Sequence, residues 1–181
     1  MHTPSEKINR KTFIDTLIKT EDLEYEPEVI YGLRLAYLYL QEIRDASPFL
    51  TMDIITTTQF LLSGKMDGMV RTTTDVYTYD LSGRKHFYER CKYPTYITNR
   101  LQGVVDTYNS TLNSAQFFLD FLAVHAFCDK NGRTSKTMLT HIFQVIPFQH
   151  VTYDKYLQVV CNGDIHELRK IMFIGRDIQF L

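Results

Sequence analysis

The sequence lacks an excess of charge of either sign. Its 20 Lys and Arg residues are matched by 21 Asp and Glu residues, which gives a formal net charge of −1 at pH 7. A chain with this balance has no basic field to attract the phosphates of nucleic acid, and anionic membranes attract it only weakly. We therefore expect neither a nucleic-acid partner nor binding to a membrane.

Long apolar stretches are also missing. No run approaches the roughly 20 apolar residues of a membrane-spanning helix. The first residues, Met1 to Lys7, contain no hydrophobic segment of a secretory signal. We expect a soluble protein of the cytoplasm, or a secreted effector exported without a classical signal peptide.

Cysteine is scarce and poorly placed for cross-linking or for metal binding. The three cysteines, at positions 91, 128 and 161, are odd in number and far apart, which indicates reduced thiols. His141, His150 and His166 show no metal-ligand spacing with one another or with a cysteine, so a zinc site is not expected.

The chain does have the composition of one folded domain. Its 181 residues are 44% hydrophobic, without an internal repeat, a low-complexity tract or a linker. Apolar residues recur at helical spacing along most of the chain, which predicts a mainly α-helical fold. Helices are predicted at residues 13–18, 27–43, 51–63, 94–109, 112–126, 134–146, 153–160 and 165–171.

Residues 72–90 differ from the rest of the chain. β-Branched and aromatic residues stand on both sides of a four-residue turn, 80–83, that ends in a glycine. This pattern predicts a β-hairpin, and a decorative loop is the alternative. Two strands alone leave open edges, which can accept an extended segment of a partner protein.

One short stretch, His125-Ala-Phe-Cys-Asp-Lys-Asn-Gly-Arg133, lies between two predicted helices. It combines a base, a carboxylate, a glycine turn and cations. Asn131 and Gly132 both tolerate positive φ, so we predict that the chain reverses there. Thr134 or Ser135 is then expected to cap the helix that follows.

The start of that helix is expected to bind an anion. Its free N–H groups favour negative charge, and the cations Lys130, Arg133 and Lys136 favour a polyphosphate. A carboxylate there would repel phosphate unless a hard cation lay between them, so Asp129 indicates Mg²⁺. His125 could accept a proton from an incoming hydroxyl. Taken singly, these residues also fit purely structural roles as a core histidine, a turn and solvated cations.

The order of these residues resembles the signature of Fic-domain proteins, the Fic/Doc superfamily, which usually reads His-Pro-Phe-x-Asp/Glu-Gly-Asn-Gly-Arg-x-x-Arg. The matching positions are His125, Phe127, Asp129, Asn131, Gly132, Arg133 and, with Lys in place of Arg, Lys136. The resemblance covers roughly residues 50–175. It implies one Fic-like domain over residues 1–181, all-α with one β-hairpin flap, in which residues 1–49 form a helical extension.

The resemblance also implies an activity, the transfer of AMP from Mg·ATP to a Ser, Thr or Tyr hydroxyl of a target protein. The target would dock on the hairpin at 72–90. By position, His125 would be the general base, Asp129 the Mg²⁺ ligand and Phe127 the buried anchor of the loop. The residues that would contact the nucleotide phosphates are Lys130, Asn131, Gly132, Arg133 and Lys136.

Two departures from the signature bear on this expectation. Lys130 replaces the first glycine, which would strain the loop by about 1 kcal/mol if that position needs positive φ. Lys136 replaces the second arginine, so a point charge stands where a bidentate fork would grip a terminal phosphate. Gly132 is retained where Doc-type kinases carry a bulkier residue, which favours AMP transfer. A Doc-like kinase or other phosphate-group transferase, and a degenerate domain that binds a nucleotide or partner without chemistry, stay open as alternatives.

A last expectation concerns autoinhibition by a segment of the same chain. Residues 20–24, Thr-Glu-Asp-Leu-Glu, faintly resemble the inhibitory motif Ser/Thr-x-x-x-Glu-Gly/Asn of some Fic proteins, although Tyr25 breaks the pattern. If the motif is real, Glu24 would pair with Lys136 and block the terminal phosphate. A solvated acidic loop is the alternative.

Overall fold

A computed structural model describes residues 8–43, 49–63, 69–72, 75–79, 83–143 and 146–172. These residues form eight helices and one antiparallel pair of strands, which confirms the predicted all-α fold with one hairpin. The predicted turn residues 80–82 lie outside the described ranges. No helix within these ranges is long and apolar enough to cross a bilayer. The elements in chain order are α1 (Arg10–Thr20), α2 (Pro27–Glu42), α3 (Met52–Ser63), β1 (Tyr77–Tyr79), β2 (Lys85–Phe87), α4 (Tyr96–Thr111), α5 (Ser114–Val124), α6 (Asn131–Phe143), α7 (Tyr153–Asn162) and α8 (Ile165–Met172).

Local sequence explains where several helices begin and end. The side-chain oxygens of Asn9, Asn113 and Thr152 each accept a hydrogen bond from a backbone N–H of the first turn, which satisfies one of the free donors there. Pro27 stands at the start of α2, where its missing N–H costs nothing. Gly163 ends α7 in the left-handed conformation.

The larger hydrophobic core packs around α5 and α6, the helices that flank the His125–Arg133 stretch. Phe118, Phe127 and Phe148 are all fully buried in it, and the Phe118 ring centre lies 5.4 Å from that of Phe148. Burial of Phe127 confirms its predicted place as the anchor of the loop. Fully burying such a side chain contributes about 1.5–3 kcal/mol, so both ends of the loop start from rigid supports.

A second core joins α1, α2 and α3. Phe13 and Leu17 of α1 are buried against Leu33 of α2. Helices α2 and α3 approach closely at Gly32, where a Cβ atom would lie 2.9 Å from the carbonyl oxygen of Leu62. This packing brings the end of α1 next to α6, and the candidate site depends on that contact.

The hairpin pairs Tyr77 with Phe87 and Tyr79 with Lys85. Successive side chains of a strand point to opposite faces. Tyr77 and Phe87 share an exposed face, with ring centres 5.9 Å apart, and the Nζ of Lys85 lies 3.5 Å from the Tyr77 ring. Tyr88, the residue after β2, lies on the opposite side and reaches the His125–Arg133 stretch.

Candidate active site

The loop between α5 and α6 reverses at positions other than those predicted. His125, at φ +48°, and Lys130, at φ +63°, adopt the left-handed conformation, whereas Asn131 and Gly132 do not. The position of the first family glycine therefore does need positive φ, and a lysine occupies it. A Cβ in this region costs roughly 1–2 kcal/mol, so the conditional expectation of strain at Lys130 is confirmed.

Asn131 closes this loop with its side chain. Its Oδ1 accepts a hydrogen bond from the Phe127 N–H at 3.1 Å, and its Nδ2 donates to the Phe127 carbonyl at 2.8 Å. The side chain is therefore committed to the backbone, so a contribution of Asn131 to the predicted anion cradle would come from its backbone N–H. Because α6 begins at Asn131, Thr134 and Ser135 lie inside the helix and do not cap it.

His125 is positioned by the end of α5 and by the hairpin. Its backbone N–H donates to the Phe121 carbonyl at 3.1 Å, and its ring stacks on Tyr88 with 3.7 Å between ring centres and 12° between planes. Burial lowers the pKa of His125 to about 4, against the opposing effect of the Leu122 carbonyl, and the Arg71 charge lowers it as well. The imidazole is therefore neutral at pH 7 and able to accept a proton.

Asp129 is the exposed acid of the site, with a side chain that is 70% accessible. Partial burial opposes its ionisation, but the Lys130 N–H at 2.6 Å and the Lys130 and Arg133 charges outweigh that effect and lower the pKa of Asp129. The Nζ of Lys130 lies 3.2 Å from one Asp129 oxygen, and the Nη2 of Arg133 lies 3.9 Å from the other. The carboxylate is thus ionised and bordered by cations.

Lys136 is buried at the interface of α1, α6 and α7. Its side chain is 1% exposed, and its Nζ forms an ion pair with Glu21, donates to the Thr20 carbonyl at 2.9 Å and lies 3.8 Å from the centre of the Tyr156 ring. Burial lowers the pKa of Lys136, and the Glu21 carboxylate opposes that shift. In this state Lys136 is covered by the protein.

Glu21, and not Glu24, is the partner of Lys136. The predicted pairing of Glu24 is wrong, because α1 ends at Thr20 and places Glu21 at its C-cap, directly over α6. Glu24 lies further along the following loop and is exposed. Lys136 therefore pairs with an acid three residues earlier in the chain than the predicted Glu24.

The Glu21 carboxylate also covers the start of α6. A Cβ on Gly132 would lie 2.5 Å from both Glu21 carboxylate oxygens, so the acid rests against the backbone where the sequence predicted an anion. Nearby, the Arg133 side chain is 10% exposed, and its buried Nε has no hydrogen-bond partner among the described residues. A carboxylate therefore lies against the first turn of α6, where a helix start favours negative charge, and the Arg133 donor beside it has no acceptor among the described residues.

Sequence reasoning missed Gln59, a residue of α3 that supports the loop. Gln59 is 1% exposed, its Nε2 donates to the Asp129 carbonyl at 2.9 Å, and its Oε1 accepts from the Thr134 hydroxyl. The available signal was a glutamine at helical spacing between the buried Ile55 and Leu62. Such a residue needs a buried polar partner, but the spacing does not say which one.

The comparisons with known proteins bear on the fold. No protein-family model matches the sequence, and no curated protein matches it. A Fic family protein from Desulfovibrio desulfuricans G20 has a similar structure, with a TM-score of 0.61 at 15% identity over 90% of this chain and 62% of that chain. Fic-1 from C. elegans gives 0.58 at 18% identity over 87% and 53%. A Fic domain containing signaling protein from Bacteroides thetaiotaomicron VPI-5482 gives 0.60 at 14% identity over 84% and 65%.

This chain spans less than two thirds of the length of each of these structures. At such low identity, the likeness concerns the path of the chain and the packing of its helices. The likeness extends over 84–90% of this chain. The chain adopts the Fic fold.

Proposed function

We propose that this chain is a protein adenylyltransferase, which transfers AMP from Mg·ATP to a Ser, Thr or Tyr hydroxyl of a target protein. The main support is the anion already present at the start of α6, where the Glu21 carboxylate rests against Gly132 and pairs with Lys136. A site that accommodates a carboxylate beside helix N–H groups and a buried cation has the charge to hold a phosphate. The order of the motif residues and the Fic fold support the same assignment.

In the proposed reaction, the neutral imidazole of His125 accepts the proton of the target hydroxyl. The hydroxyl oxygen attacks the α-phosphorus of ATP, the bond from that phosphorus to the bridging oxygen breaks, and pyrophosphate leaves. Arg133 and the N–H groups at the start of α6 offset negative charge on the phosphate oxygens. Phosphoryl and nucleotidyl transfer depend chiefly on such positioning and charge stabilisation.

A magnesium ion is implied, and Asp129 fits it. The carboxylate is ionised and 70% exposed, and Mg²⁺ sites commonly use one or two carboxylates together with substrate phosphates and water. No group of three or more acidic, histidine or cysteine ligands occurs in the part of the chain that the structure describes. Asp129 would hold the ion, which when bound supplies neutralisation of the phosphate charge.

We propose that the target docks as an extended segment on the hairpin at 72–90. Within the described residues the sheet consists of these two strands, and the edges of such a sheet can accept a further strand through main-chain hydrogen bonds. Tyr88 joins the hairpin to His125, so a segment held there would bring its hydroxyl near the base.

The contact of Glu21 with Lys136 and Gly132 implies a restrained resting state. The terminal phosphates of ATP and the Glu21 carboxylate would compete for the same charges, as the family resemblance suggested for Glu24. Activation then requires that Glu21 move aside or that its charge be removed.

A domain that binds nucleotide without chemistry is the second candidate. It is favoured by Lys130, whose Nζ lies 3.2 Å from Asp129 and competes with a metal ion for that carboxylate. Intact-mass spectrometry of the Glu21→Gly chain, from which the restraint has been removed, separates the candidates after incubation with Mg·ATP, provided that the chain modifies itself or an added target. A gain of one AMP supports adenylyl transfer, and a gain of one phosphate indicates a kinase. ATP binding by calorimetry with neither gain indicates the second candidate.

A further inference from the structure

Arg71 lies in the segment 69–72, between α3 and β1, and is 4% exposed. Its Nε donates to the His125 carbonyl at 2.7 Å, and its Nη2 donates to the Val124 carbonyl at 2.9 Å. Its backbone N–H donates to the Ala126 carbonyl at 2.9 Å. One residue therefore binds three successive carbonyls at the end of α5.

These carbonyls lie at the C-terminus of α5, where a positive charge is stabilising. The last carbonyls of a helix have no partner within it, and they carry the negative end of the helix dipole. His125 is also held at φ +48°, a conformation that a residue with a Cβ keeps only when its surroundings hold it there. Because Arg71 binds the peptide groups on both sides of His125, it restricts the rotation that would release that conformation.

The same guanidinium binds the exit of the hairpin. Its Nη2 also donates to the Glu89 carbonyl, and its Nη1 lies 3.2 Å from the Sγ of Cys91. Glu89 directly follows Tyr88, the residue stacked on the His125 imidazole. Arg71 thus binds the backbone of His125, which bears the imidazole. It also binds the backbone of Glu89, next to Tyr88, whose ring stacks on that imidazole.

We infer that Arg71 is a positioning residue: it locks His125 in its left-handed conformation and holds Tyr88 on the imidazole, so that the base and the hairpin act as one unit. The inference deepens the proposed function, on which its activity measurement rests. Arg71 would touch neither ATP nor the target hydroxyl and would act through His125. The charged and titratable groups that face His125 in the described structure are Arg71, Asp129 and Tyr88.

The test compares Arg71→Lys and Arg71→Met with Arg100→Met. Arg100 is a matched control, because it is 53% exposed and its Nε pairs with the Glu89 side chain at 2.9 Å, whereas Arg71 is buried and binds the carbonyls at the end of α5. A misplaced base costs on the order of 100-fold in rate. We expect kcat to fall by about that factor in Arg71→Met and by about tenfold in Arg71→Lys, with the KM for ATP nearly unchanged. Arg100→Met should retain the wild-type kcat.

NMR of histidine-labelled protein gives a measurement that does not depend on activity. Stacking on Tyr88 shifts the His125 ring protons upfield, and Arg71→Met should lose this shift and raise the pKa of His125, whereas Arg100→Met should change neither. The proposal is overturned if both Arg71 variants keep the wild-type kcat, or if kcat falls while the His125 resonances stay unchanged. An equal fall of kcat in Arg100→Met would also overturn it.

Two further comparisons cover the cases in which no AMP is transferred or the Arg71 variants do not fold. If the Glu21→Gly protein, in which the restraint is removed, transfers no AMP, the proposed function fails, and the NMR comparison still decides whether Arg71 fixes the imidazole. If neither Arg71 variant folds, Tyr88→Phe, which keeps the stack, is compared with Tyr88→Ala, which removes it. A kcat at least about tenfold lower in Tyr88→Ala alone supports a base held with the hairpin, and equal kcat values overturn it.

Discussion

The Glu21 carboxylate lies against Gly132, at the start of α6, where a Cβ would come within 2.5 Å of either carboxylate oxygen. The end of α1 thereby occupies the place in which the sequence predicted a phosphate. The relationship joins two parts of the chain that are more than 100 residues apart. The resting state of the site therefore depends on how α1 packs against α6.

Removal of the Glu21 charge should increase the affinity for ATP. In Glu21→Gly the internal competitor is gone, so a larger fraction of the protein is competent to bind, and the apparent Kd should fall by about tenfold or more. Glu24→Gly is the matched control, since Glu24 is exposed and has no part in the pair. Isothermal titration calorimetry with Mg·ATP measures both variants, and equal affinities in the two would contradict the competition.

Gly132→Ala should reveal the contact with Glu21 through stability. The added methyl group must displace the carboxylate, and a buried Lys136 without its partner costs several kcal/mol, so we expect a loss of about 2 kcal/mol or more. In a Glu21→Gly background the same substitution should cost little, because nothing is displaced. Urea denaturation of the four proteins gives this double-mutant cycle, and additive effects would show that the contact is unimportant.

The stability of the protein should depend on pH through His125. Its folded pKa of about 4 lies below the ordinary value of 6.5, so the unfolded chain binds a proton between these values while the folded chain does not. Stability should therefore fall as the pH drops from 6.5 to 4, by about 3 kcal/mol in total, and should not change above that window through this group. His125→Phe keeps an aromatic ring beside Tyr88 but cannot titrate, so denaturation curves of the variant should lack this part of the pH dependence. Parallel curves for the two proteins would refute the assignment.

Replacing Lys130 by glycine should stabilise the fold. Glycine adopts the φ of +63° without the cost of a Cβ. The lost ion pair is weak because its Asp129 side chain is 70% exposed, so we expect a gain of about 0.5–1 kcal/mol. Lys130→Ala is the control, because it removes the ammonium but keeps the Cβ. A shift of the urea midpoint in the glycine variant alone supports strain at this position, whereas no gain would argue against it.

The parts of the fold that follow from local periodicity could be predicted from the sequence. The helices and the hairpin follow from apolar spacing and β-branched residues, and the burial of Phe127 follows from its place between two apolar helices. The position at which the loop between α5 and α6 reverses could not be predicted from this periodicity. Asn131 and Gly132 tolerate positive φ, but the hydrogen bonds of Asn131 to Phe127 place that conformation at Lys130.

Contacts between distant segments set the limit of sequence reasoning at the site. Whether Glu21 or Glu24 meets Lys136 depends on where α1 ends and how it docks on α6, which no short motif records. Gln59 and Arg71 reach the loop across 70 and 54 residues of sequence, respectively. Their type suggests that they need polar partners, but only the packing of α3 and of the segment before β1 identifies them.

The central claim is that His125 drives transfer of AMP, and its most direct test uses ATP labelled at either the α or the γ phosphate. The Glu21→Gly protein, with and without the additional change His125→Ala, is incubated with Mg²⁺ and each labelled ATP, alone and with an added protein extract. We expect label on protein from the α position only, and only when His125 is present, while both proteins bind ATP equally by calorimetry. Label from the γ position, or undiminished α label without His125, would contradict the account.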